Sequence, residues 1–350
     1  MSARQSRHVL AVMLAALTAG SVYLTVEMES QKPPSPAVQP SIPSPVTMAK
    51  ASTMRWERLT NPNRSVLRDN AGATLATFTD GARTATLAGP SRTFAEPAHT
   101  SARVVTTDWV RLMPAEWHSG AEREQWFQDW FKKYQGSKED DLFAMAFQYV
   151  DRAPEKKDAD GVPYAGDAAF GPLNPHGSPG NDLRIEQSDF YDYLGTPYTF
   201  RDGKTLQPER SKYRAMDCAG FIRTVLGYRA RYPLMSSDSF GTGLPRTANG
   251  MARSKVGADI IPLTPTSVRP PLAALDTLQP GDLVFFKLDR RTGDRLDHVA
   301  MYMGPDTDGH KIFISSREEV NGPTIGDVGG TSRLDGNGYY AERLRSAKRV

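Results

Sequence analysis

A single cysteine, Cys218, in a chain of 350 residues removes intramolecular disulfides from the ways in which this sequence can hold a fold. The chain must rest on a hydrophobic core, and with 39% hydrophobic residues it is long enough for one sizeable core and a smaller companion. The lone thiol is then either a small buried apolar residue or a reactive group. Lys and Arg number 43 against 40 Asp and Glu. An excess this small on a mixed surface gives no footprint for nucleic acid.

Arg4 and Arg7 precede an uncharged apolar run over residues 9–26, the pattern of an export signal. The run approaches bilayer-spanning length, and Thr18-Ala19-Gly20 is a poor cleavage site, so residues 1–30 read as a signal peptide or as an N-terminal membrane anchor. Either places the protein outside the cytoplasm, secreted or held at the outer face of the membrane. Six prolines within residues 31–46 make 31–53 a semi-rigid linker.

Residues 54–115 read as a small β-rich region, with strands expected at 65–68, 73–79 and 82–87 and turns at Asn70-Ala71-Gly72 and Asp80-Gly81. Residues 116–182 read as a helical segment and a loop. Ser119 is placed to cap a first helix whose Trp126, Phe127, Trp130, Phe131 and Tyr134 recur at helical spacing, a core stripe rather than a ligand box. A second helix is expected over 139–152, completing a helical hairpin. No internal repeat, phosphate-cradling glycine loop or His-Glu-x-x-His run is present, so neither a metal nor an organic cofactor is called for.

The chemistry concentrates in residues 183–350. Asp217 is placed to cap a helix that begins at Cys218, and a helix N-terminus favours the thiolate. Ala219 and Gly220 are small enough to let a peptide carbonyl approach the sulfur. Leu278-Gln279-Pro280-Gly281-Asp282 reads as a turn into the strand Leu283-Val284-Phe285-Phe286. His298 then opens the strand that ends at Gly304, and a third strand runs over 311–316. A cysteine at a helix start followed by a histidine at a strand mouth has the order of papain-like enzymes. If the two meet, a thiolate–imidazolium pair is expected.

Asp217-Cys218-Ala219-Gly220, Leu244-Pro245-Arg246-Thr247, Pro280-Gly281-Asp282-Leu283-Val284-Phe285-Phe286 and His298-Val299-Ala300-Met301-Tyr302-Met303-Gly304 together resemble the signature of the NlpC/P60 cell-wall peptidases. The resemblance implies an α+β, papain-like domain in which a Cys-bearing helix packs on an antiparallel sheet. It further implies that Cys218 attacks an amide of a peptidoglycan stem peptide, with His298 as base. Tyr198, in Thr196-Pro197-Tyr198, matches the family's Pro-Tyr element and would face the thiolate and developing oxyanion.

One position departs from the family pattern. Where a His, Asn or Gln usually orients the base, this chain reads Phe313-Ile314-Ser315-Ser316, so Ser315 takes the orienting slot, unless His310, Glu318 or Glu319 substitutes. Asp217, Arg246 and Arg290 are candidate substrate contacts, since stem peptides carry carboxylates. Two rivals stay open: an N-acetylmuramoyl amidase or transpeptidase on the same scaffold, and a weak or inactive wall-binding protein. Oligomeric state is not readable from the sequence.

Overall fold

The computed structural model describes residues 39–40, 54–239 and 241–350. The expected signal or anchor and most of the Pro-rich linker lie outside the described residues. Among those described, no helix is long and apolar enough to cross a membrane.

The first sheet is an antiparallel meander of β1 (Arg55–Leu59), β2 (Arg64–Arg68), β3 (Thr74–Thr79), β4 (Thr84–Ala95) and β5 (Arg103–Leu112), each paired with its sequence neighbour, and Gln39–Pro40 of the expected linker adds a short strand that pairs with β4 at Thr93 and Arg92. The turns at 70–72 and 80–81 fall where Gly72 and Gly81 supply positive φ. β4 runs past residue 87 through a register shift between Ala88 and Arg92, and the alternation that marks it is diluted by Ala and Thr.

Helix α1 (Gln125–Tyr134) lays its aromatic stripe on this sheet. Phe78 stacks on Trp117 at 4.5 Å and meets Phe127 edge-on at 5.2 Å, with Trp130 alongside. The helix starts at Gln125 rather than after Ser119. Gly120 sits in the left-handed region and turns the chain through a 3-10 turn, Ala121–Arg123, with Glu124 as N-cap. The expected second helix is reduced to α2 (Leu142–Ala146) and a 3-10 turn, Phe147–Tyr149. Asp141 sets its start, accepting from the Ala144 N–H at 3.0 Å while its carboxylate pairs with buried Arg92.

The second sheet comprises β6 (Ala258–Ile261), β7 (Leu283–Phe286), β8 (His298–Pro305), β9 (Lys311–Arg317), β10 (Gly322–Thr324) and β11 (Leu344–Arg349). Its order is β6-β11-β7-β8-β9-β10, antiparallel throughout. β7 is buried at every residue because both faces are covered, which is why its sequence is a continuous apolar run. One face packs on the helix that begins at Cys218, through Val299, Met301, Ile314, Phe221 and Val225. The other packs Phe286, Ala300 and Phe313 against Tyr340 of helix α6 (Tyr339–Arg343), which follows α3 (Phe190–Leu194), α4 (Cys218–Ile222) and α5 (Ala248–Arg253) in the chain.

The two sheets are sewn together by buried polar contacts. Arg349 holds Asp282 through Nε at 2.7 Å and Nη2 at 2.8 Å, and donates from Nη1 to Thr79 Oγ1 on the first sheet. Nearby, the Thr84 N–H donates to the Val350 carbonyl at 2.7 Å. Arg349→Ala strands the Asp282 carboxylate in the interior, which costs about 3–5 kcal/mol. The exposed Arg58–Asp80 pair contributes no more than about 1 kcal/mol. Thermal unfolding should therefore show a large drop in midpoint for Arg349→Ala and a small one for Arg58→Ala.

Candidate functional site

Cys218 opens helix α4 (Cys218–Ile222), which runs on as a π-helical segment, Arg223–Arg229. Asp217 caps it: Oδ1 accepts from the Gly220 N–H at 2.7 Å, and Oδ2 accepts from the Gln187 N–H at 2.9 Å. The same carboxylate pairs with Arg246 at 2.8 Å. Arg246 in turn lies 3.4 Å from Asp189, which is bound at 2.9 Å to the wholly buried Arg223. Two sequence-predicted substrate contacts, Asp217 and Arg246, are thus bound to each other. Burial opposes charge on Arg246, but Asp217 and Asp189 more than offset it and hold its pKa above the ordinary value.

Gly220 is small for packing. A Cβ there would sit 2.2 Å from the Ser188 carbonyl oxygen and 3.1 Å from Asp189 Cα. The glycine lets segment 187–189 lie against the first turn of α4, a different reason from substrate approach.

The sulfur lies against the backbone on both sides of His298. Cys218 Sγ–H donates to the Asp297 carbonyl at 3.8 Å, and the Val299 N–H points at the sulfur. Both side chains are closed off, Cys218 at 6% and His298 at 5% exposure. The imidazole is walled by Phe286, with ring centroids 5.7 Å apart, and by Tyr340 at 5.5 Å, and its Nε2 is buried without a hydrogen bond.

This enclosure sets the protonation states. Burial, then Asp217 and Glu186, push the thiol well above its ordinary value, and the Val299 N–H only partly opposes them. Burial, then the Arg317 guanidinium, push His298 down to about 3. The resting pair is neutral thiol and neutral imidazole rather than the expected thiolate–imidazolium pair. Removing two charges from water outweighs what one helix N-terminus returns.

Ser315 is fully buried, and its Oγ accepts from Arg317 Nε at 3.1 Å. His310 is held in the preceding turn by Asp335 at 2.8 Å. Tyr198 is half-buried, its ring 4.7 Å from Phe190 and 4.9 Å from Phe200, within an aromatic cluster. Arg290 is exposed on the 3-10 turn Arg290–Thr292.

Three groups at the site lie outside the sequence motifs. Glu186 lies at the solvent-open rim. Desolvation by the surrounding loops, then Asp217, Glu318, Asp297 and Asp182, push its carboxyl up to about 7. Arg317 and Tyr340 back the imidazole. Arg317 carries a legible signal, since Phe313, Ser315 and Arg317 share strand parity and a charge on a core-facing position needs a reason. Among the described residues, no group of three or more His, Cys, Asp and Glu is placed to hold a metal.

The comparisons with known proteins fall on this region. No curated protein matches. A similar solved structure is an NlpC/P60 family protein from Bacillus cereus ATCC 10987, with 26% identity over 39% of this chain and 32% of that chain, and a TM-score of 0.24. Another is a protein described as similar to lipoprotein, NLP/P60 family, from Staphylococcus aureus subsp. aureus Mu50. It has 22% identity over 46% of this chain and 38% of that one, with a TM-score of 0.23. The chain thus spans 32% of the length of the first and 38% of the second. The C-terminal part of the chain, residues 195–349, matches the model of the NlpC/P60 family, whose general chemistry is that of cysteine peptidases and amidases of the cell wall.

Proposed function

We propose that this chain is an exported cysteine peptidase that hydrolyses amide bonds in peptidoglycan stem peptides, with Cys218 as nucleophile and His298 as base. The observation that carries this reading is the seating of the Cys218 sulfur between the Asp297 carbonyl and the Val299 N–H, the backbone flanking His298. Because both groups rest neutral, His298 takes the thiol proton as the sulfur attacks the amide carbonyl. The resulting imidazolium then protonates the leaving amine as the carbon–nitrogen bond breaks, and water releases the acyl group from sulfur. Exposed Glu186, with Asp217, Glu318, Asp297 and Asp182 bearing on it, suits the amine-bearing end of a stem peptide. Arg246 is already occupied by Asp217 and Asp189, which leaves exposed Arg290 as the candidate partner for a substrate carboxylate. Residues 1–30 act as export signal or tether.

A second reading, a weak or inactive wall-binding protein, is favoured by the burial of both reacting side chains and by the commitment of Ser315 to Arg317. Incubation of the protein with purified peptidoglycan, followed by mass analysis of released fragments, separates the two. Peptide-bond products identify the peptidase. Cys218→Ser should lower that release on the order of a thousandfold or more with the fold intact, because an alcohol of ordinary acidity replaces the thiol.

The buried neutral His298 also makes stability depend on pH. Its folded value of about 3 lies below the ordinary 6.5, so between the two the unfolded chain binds a proton that the folded chain does not. Stability is unaffected above about pH 6.5 and falls as pH drops through this window, with a slope of up to about 1.4 kcal/mol per pH unit. Urea unfolding at about pH 7 and about pH 4.5 should show up to about 2–3 kcal/mol more acid loss in the native chain than in His298→Gln, which cannot take up the proton.

A further inference from the structure

Arg317 is a buried cation without a carboxylate in ion-pair distance among the described residues. Arg92, Arg223 and Arg349, buried to a similar degree, each meet an aspartate. Arg317 is held instead by neutral acceptors. Nε donates to Ser315 Oγ, Nη1 donates to the carbonyls of Gly326 at 3.2 Å, Val328 at 3.4 Å and Gly330 at 2.6 Å, and Nη2 donates to Ser332 Oγ. The loop supplying those carbonyls is itself pinned from the first sheet's side by Glu96, which accepts from the Ile325 N–H and from Thr324 Oγ1. A charge kept dry by dipoles alone is expensive.

The guanidinium carbon lies 4.5 Å from the Tyr340 ring centroid and 5.2 Å from that of Phe313. Tyr340 is also one wall of the His298 pocket. His298 and Arg317 each lie three residues beyond the Met301–Ile314 pair, on neighbouring strands. We propose that Arg317, rather than Ser315, is the positioning residue of this site, holding Tyr340 against the His298 ring and placing a fixed positive charge beside it. The inference rests on the reading of His298 as base. The groups facing the imidazole are Arg317 from β9, Tyr340 from α6 and Phe286 from β7, while the Cys218 sulfur lies against the backbone at 297 and 299. Arg317 is thus the cation that bears on its charge. It opposes imidazolium before substrate arrives, leaving a base that accepts a proton only as the sulfur gives one up.

The competing account is that Arg317 merely clamps the 326–330 loop, as Arg111 clamps the carbonyls of residues 137–140. The full chain carrying Arg317→Met or Arg317→Lys separates them when the ring protons of His298 are titrated by NMR, with circular dichroism as the control for folding. Loss of the charge in Arg317→Met should raise the His298 midpoint by about one pH unit or more, and Arg317→Lys, which keeps the charge, should restore most of the depression. Equal midpoints in the native and Met chains, or equal shifts in Met and Lys, would overturn the proposal. Should Arg317→Met not fold, Tyr340→Leu takes its place: the midpoint should rise as the wall is lost, and an unchanged midpoint overturns the proposal equally. Titration needs no substrate, so a normal shift without any release from peptidoglycan would reject the peptidase reading alone.

Discussion

The ion pair between Asp189 and Arg223, with both side chains fully buried, fixes the part of the molecule on which the candidate site depends. Its carboxylate reaches Arg246, Arg246 reaches Asp217, and Asp217 caps the helix that presents Cys218. Arg223 also donates to the carbonyls of Leu244 and Pro245. Three segments far apart in sequence, at 187–189, 217–223 and 244–246, are therefore locked by four side chains. Such a network is justified less by net energy than by the single geometry it permits, since removing any one member strands a buried charge.

That network explains why Asp217-Cys218-Ala219-Gly220 and Leu244-Pro245-Arg246-Thr247 were legible as motifs while their roles were not. The sequence marks which residue types recur near the thiol. It does not reveal that Asp217 and Arg246 satisfy each other, or that Gly220 is small because the Ser188 carbonyl lies above it. The strand at 283–286 and the one opening at His298 were readable from continuous apolar runs bounded by turn residues. The strand Arg103–Leu112 was not, because its burial alternates irregularly with polar and charged side chains such as Arg111, whose guanidinium turns inward to backbone carbonyls. The second helix is shorter than its sequence predicts because apolar periodicity continues past Ala146, whereas the chain leaves the helix through a 3-10 turn at Phe147.

The electrostatics of the pair follow from competing magnitudes. A helix N-terminus favours an adjacent anion by about 0.3–1 kcal/mol, whereas transferring a charge from water into an apolar enclosure costs several times that. Here Asp217 and Glu186 add repulsion. A cysteine at a helix start is thus insufficient grounds for a thiolate. The depth of the pocket and the sign of the neighbouring charges decide.

The contact between Arg349 and Thr79 joins residues 270 positions apart, and it has a consequence for how the chain is made. The meander can pair its own strands as soon as it emerges. Its inner face, where Thr79 and the Thr84 N–H await Arg349 of β11 and Val350, stays open until those far later residues have been synthesised. Docking of the two sheets is then the late step of folding, governed by the entropy of closing a very long loop. Until it closes, the first sheet carries an exposed polar edge and an apolar underside, the kind of surface that chaperones hold in a nascent chain.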